Sequence, residues 1–385
     1  MALTTRGKIV IASCLRYMLF WTKAVSIQKK TILFFSFQGK SYACNPKYIT
    51  EYIMDEKKRR DSPFQDVRII WAFHNPAPYA YLKERGIQVV EYGSIAFYLA
   101  FFKAHAIVTN ASNLPYLPVK RKQMLMNTWH GGGAYKSESF DSSLTNFRNR
   151  NVKTFLSSSE VFQTIMEKST KLPSSCFLPC GMPRNDVFFH LSKEDIQKKK
   201  RILGLSLDKC YLLYAPTYRD DDAIYEQPDF TRILLALEER FGGQWELLLR
   251  GHYNAKDLFE NASESNVIDL SSYDDMQDVL CVADAVITDY SSLIWDYSIL
   301  HRPCFLFVPD EEHYQKIRGL YQPVERWNFP FARTNEELVE CILKFDEQTN
   351  RENLRQHQKD LGTFETGGAS ETAAHHILHW LRNEV

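Results

Sequence analysis

The sequence has no apolar run reaching the roughly 18–20 residues that a bilayer-spanning helix requires. Nor has it an excess of either charge, with 47 basic and 47 acidic residues in 385. Net charge therefore points to no polyanionic partner, and no nucleic-acid partner is expected. No cysteine pair stands at CxxC spacing among Cys14, Cys44, Cys176, Cys180, Cys210, Cys281, Cys304 and Cys341. Cys176 and Cys180 lack further ligands at zinc spacing, so no metal site is expected there. Buried thiols in a reducing, cytoplasmic compartment fit this scatter. G-x-G-x-x-G, the Walker lysine loop and the nucleophilic serine elbow are all missing, which sets aside the dinucleotide, P-loop and serine-hydrolase classes. There is no internal repeat and no low-complexity linker.

What is present suits two globular domains. Aromatic residues make up 14% of the chain, enough for large cores and too much for disorder. Predicted strands alternate with helices: Thr31 to Phe37, Asp66 to Phe73, Gln88 to Tyr92, Ala104 to Thr109, Gln123 to Thr128, Thr154 to Leu156 and Cys176 to Leu178. After a charged helix from Leu191 to Leu205 the pattern restarts with Tyr211 to Tyr214, Trp245 to Leu249, Val267 to Leu270, Ala285 to Ile287 and Cys304 to Val308. This alternation predicts an α/β protein of two doubly wound, Rossmann-like domains facing across a cleft, residues 1–193 and 194–385. The last helices are expected to pack back on the N-terminal domain. Lys8 to Val25 mixes Ile, Leu, Phe and Trp with Arg16 and Lys23. It lacks a cleavage site after a clean apolar core, so a secretory signal is not expected. A membrane-interfacial amphipathic helix and a helix packed on the domain both fit it.

Polar clusters fall just after predicted strands, where such folds hold ligands. In Thr288-Asp289-Tyr290-Ser291-Ser292 the two serines open a helix, whose free N–H groups suit a phosphate; a plain serine cap is the alternative. Trp129-His130-Gly131-Gly132-Gly133 sets a potential general base beside glycines that let a ligand approach the backbone. A glycine turn with a merely hydrogen-bonded histidine would look the same. Tyr214-Ala215-Pro216-Thr217-Tyr218-Arg219-Asp220-Asp221-Asp222 offers an arginine that can clamp a phosphate, and an acidic run that suits either a divalent cation or a solvated loop. Leu249-Arg250-Gly251-His252-Tyr253-Asn254 adds a second strand-end histidine, and Ser271 to Asp275 reads as a helix cap. A histidine in the first half, with Arg219, His252, Ser291 and Ser292 in the second, suits transfer of a phosphoryl or glycosyl group from a nucleotide donor.

Thr128-Trp129-His130-Gly131, Tyr214 to Asp220 and Ile287 to Ser292, in this order, resemble the signatures of the CDP-glycerol glycerophosphotransferase family of teichoic acid and capsule polymer synthesis. The resemblance extends through Asp296, Arg302-Pro303, Asp310, Tyr314 and Arg318-Gly319, and includes Ser36 to Ser41 and Asn45-Pro46. It implies a GT-B-type fold and transfer of glycerol phosphate from CDP-glycerol to a lipid-linked or polymeric acceptor, with release of CMP. Ribitol phosphate serves as the transferred group in relatives. By the same resemblance His130 and His252 are catalytic, and Arg219, Ser291, Ser292, Asp289 and Thr217 bind the donor. Gly131, Gly132 and Gly133 form an acceptor or phosphate loop. No tightly bound cofactor is implied, with room for a divalent cation such as Mg. A peripheral location on the inner face of a bacterial membrane follows from lipid-linked acceptors. Two departures stand out: His252-Tyr253 where the family commonly has His-Pro, and three glycines where it often has one followed by Thr-Pro. The chain is short for a family polymerase with accessory domains, so a primase or a compact capsule enzyme also fits. A nucleotide-sugar glycosyltransferase and a non-enzymatic nucleotide- or polymer-binding scaffold are the competing readings.

Overall fold

The computed structural model of the chain describes residues 5–111, 114–133, 147–217, 225–251 and 267–383. It divides into two compact units, one of Met1–His130, Phe140–Asp186 and Phe364–Val385, the other of Gly131–Ser139 and Val187–Thr363.

The first unit is built on a seven-stranded sheet: β1 (Gln28–Phe35), β2 (Arg68–Phe73), β3 (Gln88–Glu91), β4 (Ala104–Thr109), β5 (Met124–Asn127), β6 (Thr154–Ser157) and β7 (Phe177–Pro179). Its order is β3-β2-β1-β4-β5-β6-β7, and every pairing is parallel. Parallel strands need crossover helices, which cover both faces, so the strands read as unbroken apolar runs. Ile32 to Phe35 and all of β4 are buried accordingly. Ile32, Phe34, Trp71, Met124 and Leu156 on one face meet Ala373, Ile377, Leu378 and Leu381 of the C-terminal helix Ala369–Asn383. The Asp186 carboxylate accepts from the Ala369 and Ser370 N–H groups at 3.0 and 2.7 Å, satisfying two donors that the helix start leaves open.

In the second unit the sheet holds β8 (Cys210–Tyr214), β9 (Trp245–Leu249), β10 (Val267–Asp269), β11 (Ala285–Thr288), β12 (Cys304–Phe307) and β13 (Phe331–Ala332). The order β10-β9-β8-β11-β12-β13 is again parallel throughout. Period-two alternation splits β8 cleanly, with Leu212 and Tyr214 in the core on one face and Tyr211 and Leu213 in the core on the other. Both sheets reverse strand order once, between β1 and β4 and between β8 and β11. There neighbouring crossovers leave on opposite faces, and the loops at the carboxyl ends part to form a crevice.

The expected strands are found within a few residues of their predicted ends. Sequence periodicity missed the helices Glu160–Thr170 and Glu311–Ile317 and the two-residue edge strand β13. The N-terminal stretch is a helix, Thr5–Met18, followed by a 3-10 turn, Phe20–Ala24. Among the described residues no helix is long and apolar enough to cross a membrane. All eight cysteines are free thiols.

One buried group gives the second unit a pH dependence. His357 lies between Trp295 and Phe329, at ring-centroid distances of 6.4 and 5.3 Å. Burial pushes its imidazole from the usual 6.5 down to about 4, with Asp360 opposing. The folded unit holds His357 neutral while the unfolded chain takes up a proton near 6.5. The stability it contributes is therefore complete above that pH and lost as pH falls towards 4. Urea unfolding followed by tryptophan fluorescence should show a midpoint falling over this window, and His357→Phe should flatten the fall. Identical slopes for both proteins would contradict the assignment.

Candidate functional site

Each unit carries candidate site residues of its own at the carboxyl edge of its sheet. In the first, β1 runs into Ser36 to Ser41, β4 into Asn110 and β5 into Thr128 to His130, so these segments border the point where strand order reverses. His130 is exposed, and its Nδ1 lies 2.6 Å from the Asn110 carbonyl oxygen. A carbonyl only accepts, so Nδ1 carries the hydrogen, and this bond fixes the orientation of the ring. The ring stacks on Trp129 (4.9 Å between centroids, 28° between planes) and meets the edge of Phe37 at 5.7 Å. Phe37 in turn donates its N–H to Asn110 Oδ1 at 2.7 Å. An imidazole oriented in this way near a sheet switch point can act as a general base.

This geometry depends on unusual backbone. Trp129 has φ of 54°, and Phe37, Gln38 and Gly39 have φ of 46°, 59° and 93°. For non-glycine residues this region is unfavourable and persists only where neighbours hold it. Gly39 is required on a second count, since a Cβ there would come within 2.8 Å of the Tyr92 side chain.

In the second unit, β8 and β11 flank the corresponding reversal, and their loops are tied together. The Asp289 carboxylate accepts from the Thr217 N–H through both oxygens, at 2.9 and 3.0 Å, and Thr288 Oγ1 donates to the Ala215 carbonyl at 2.7 Å. Tyr290 is fully buried, stacks on Tyr314 at 3.9 Å and donates to Asp310 Oδ1 at 3.0 Å. Asp289 thus latches the turn to the β8 loop and Tyr290 latches it to the β12 loop. The half-buried Ser291 and Ser292 follow on a fixed backbone. Ser292 occupies the N-cap position of Leu293–Ser298 in helical conformation, and its side chain makes no capping bond. Ser291 Oγ lies 3.4 Å from the Leu293 N–H, too long for a strong cap. The capping explanation of these serines therefore fails for Ser292 and is weak for Ser291.

Arg250, at the end of β9, donates to the carbonyls of Leu270, Tyr273 and Asp274 at 3.2, 2.5 and 3.3 Å. Burial lowers its guanidinium below the usual range, against Asp275 and Asp274, and it braces the turn after β10. Gly132, grouped with the second unit, has no space for a side chain, since a Cβ there would collide with the Trp295 indole, 2.6 Å from Nε1. Arg219 and His252 lie outside the described residues, as do Tyr218, Asp220 to Asp222, Tyr253 and Asn254. Among the described residues no group of three His, Cys, Asp or Glu side chains could hold a metal ion.

Asn45, Asn110 and Arg184 also belong to the candidate residues of the first unit. Arg184 follows β7 within Cys180 to Asp186, a polar segment with Pro183 after a strand. The position was the available signal, since the other clusters share it.

The chain matches the model of the CDP-glycerol:poly(glycerophosphate) glycerophosphotransferase family over residues 15–379. It is 32% identical over 340 residues to the teichoic acid poly(glycerol phosphate) polymerase of Bacillus subtilis (strain 168), covering 82% of this chain and 44% of that one. To the protein of the same description from Bacillus spizizenii it is 29% identical over 380 residues, 91% and 92% of the two chains. It thus spans less than half of the first of these relatives and nearly all of the second. A variant of the wall teichoic acid polymerase TagF soaked with CDPG superposes with a TM-score of 0.80 at 27% identity, over 97% of this chain and 95% of the other. The two parallel, doubly wound sheets are accordingly of the GT-B type.

Asp289→Ala removes both acceptors of the Thr217 N–H and should cost about 1–3 kcal/mol, read as a lower urea midpoint for the second unit. An unchanged midpoint would show that the latch is dispensable.

Proposed function

The chain belongs to the CDP-glycerol:poly(glycerophosphate) glycerophosphotransferase family, and on that premise we propose that it transfers glycerol phosphate from CDP-glycerol to a hydroxyl of a lipid-linked or polymeric teichoic acid or related saccharide. The observation that carries the reading is His130, an exposed imidazole whose Nδ1 donates to the Asn110 carbonyl and whose ring is thereby oriented. In this reaction Nε2 takes the proton of the acceptor hydroxyl as its oxygen attacks the β-phosphorus. The bond from that phosphorus to the oxygen bridging to the α-phosphate breaks, and CMP leaves with that oxygen. The product is a phosphodiester.

There is little covalent work for the protein beyond this proton, so positioning and charge supply most of the acceleration. We assign the donor pyrophosphate to Ser291, Ser292, Arg219 and His252, with Thr217 and Asp289 shaping the loops that carry them. The Thr217–Asp289 bonds support this by fixing the turn before substrate arrives. Gly131 to Gly133 serve as a loop against the acceptor or the transferred phosphate.

The proposal is tested by acceptor-dependent CMP release with a panel of CDP-glycerol, CDP-ribitol and UDP-sugars. CDP-glycerol should be the preferred donor. Replacing His130 by alanine should lower kcat by about 10²–10⁴-fold while donor binding persists. No CMP with any lipid-linked acceptor, or CMP release indifferent to His130→Ala, would overturn it; donor binding without turnover in the unaltered protein would favour the scaffold reading.

We further propose a cytoplasmic enzyme held peripherally on the inner face of the membrane. Arg16 anchors the N-terminal helix to the first unit, donating to the Leu117 carbonyl and to Asn151 Oδ1 at 3.2 and 3.1 Å. Tyr17 and Trp21 nonetheless remain 83% and 68% exposed, with Val10, Met18 and Phe20 exposed around them. Aromatic side chains beside Arg16 and Lys23 suit the lipid headgroup region. In flotation with anionic liposomes the unaltered protein should rise with lipid, and a Tyr17→Ser/Phe20→Ser/Trp21→Ser variant should stay behind. Equal flotation would remove this stretch from membrane binding.

A further inference from the structure

The strained backbone beneath His130 is held by two side chains from distant parts of the first unit. Asn45, fully buried in the helix Cys44–Glu56, donates Nδ2 to the carbonyls of Thr128 and Trp129 at 2.9 and 3.0 Å. Its Oδ1 accepts the Arg184 N–H at 3.1 Å. Arg184, only 5% exposed, donates Nη1 to the His130 carbonyl at 2.6 Å and to Cys44 Sγ at 3.3 Å. Three successive carbonyls, of residues 128, 129 and 130, thus end on one asparagine–arginine pair.

We infer that Asn45 and Arg184 are positioning residues for His130, an assignment that rests on the reading of His130 as the base. The reason lies in Trp129. Its φ of 54° places a bulky residue where few side chains go, and the preceding turn relaxes unless its carbonyls are fixed. If Trp129 returns to an ordinary conformation, the His130 side chain swings away from the Asn110 carbonyl. Nδ1 then loses its acceptor, and the imidazole no longer has a reason to keep its hydrogen there. The clamp thereby sets which ring nitrogen carries the lone pair as well as where the ring stands. A guanidinium suits the task because its planar donors reach the His130 carbonyl and Cys44 together, and a charged donor makes the stronger bond.

The pair differs from a purely structural bond in what its loss moves. Arg184→Gln and Asn45→Ser should lower kcat by about 10–100-fold, with KM for CDP-glycerol within about twofold. The direct readout is the imidazole nitrogen spectrum of the ¹⁵N-histidine-labelled protein, with the His130 signals identified by their absence from His130→Gln. The unaltered protein should show His130 with its hydrogen on Nδ1. The two variants should show a mixture of both tautomers, and Arg184→Lys should recover part of the original signal. Asn45→Ser keeps the question answerable if Arg184→Gln does not fold. Folded variants that retain the Nδ1–H tautomer would overturn the inference. The spectrum needs no substrate, so a shifted tautomer in the variants sustains the clamp even if the unaltered protein fails to turn over CDP-glycerol.

Discussion

Parallel strands cannot be joined by tight turns, so each crossover leaves over one face of the sheet, and where the strand order reverses two crossovers leave in opposite directions. That constraint applies in both units, between β1 and β4 and between β8 and β11. It opens the carboxyl edge of each sheet at its centre and fixes which loops border the opening. In the first unit they are the loops holding Phe37, Asn110 and, one strand further on, His130. In the second they hold Thr217 and Asp289. The chemistry assigned to the chain uses the residues that the strand order leaves beside those openings.

At the opening of the first unit, strained backbone is offset by buried hydrogen bonds from elsewhere in the same unit. A residue held in the left-handed region costs about 1–3 kcal/mol. A buried hydrogen bond returns roughly 0.5–1.5 kcal/mol, and one to a charged group about 1.5–3 kcal/mol. The bonds from Asn45 and Arg184 to the carbonyls around Trp129 are therefore of the right size to hold it. In the second unit Asp289 and Tyr290 tie the turn after β11 to the loops after β8 and β12, so their polar ends are used inside the protein. Their neighbours Ser291 and Ser292 are left with hydroxyls that local structure hardly uses.

Much of this was legible in sequence because it is local. The apolar runs of β1, β4, β8 and β11 announce buried parallel strands, and the polar residues that end them mark the ligand edge. Asp289 was visible as part of a turn, but its partner Thr217 lies in another strand's loop, and no pattern within a window pairs them. Arg184 escaped for the same reason, since its target His130 and its support Asn45 are brought together only by the sheet. Asn110 directly follows the strand Ala104 to Thr109, but the use of its main-chain carbonyl is independent of its side chain and so leaves no trace in residue type. The helix Glu160–Thr170 was within reach: Ser159 caps it through Phe162, and Phe162 and Met166 follow at i, i+4 spacing. The strand β13 was not, because two residues are too few to show alternation.

The central claim is a single displacement at phosphorus, with His130 removing the acceptor's proton and no covalent intermediate on the protein. The most direct measurement uses CDP-glycerol carrying sulfur in place of one non-bridging oxygen on the β-phosphorus, as a single stereoisomer. The configuration of the phosphorothioate diester product is then read by ³¹P NMR. One in-line attack predicts inversion. Retention would require two successive displacements and a phosphorylated residue on the enzyme, and would contradict the role given to His130.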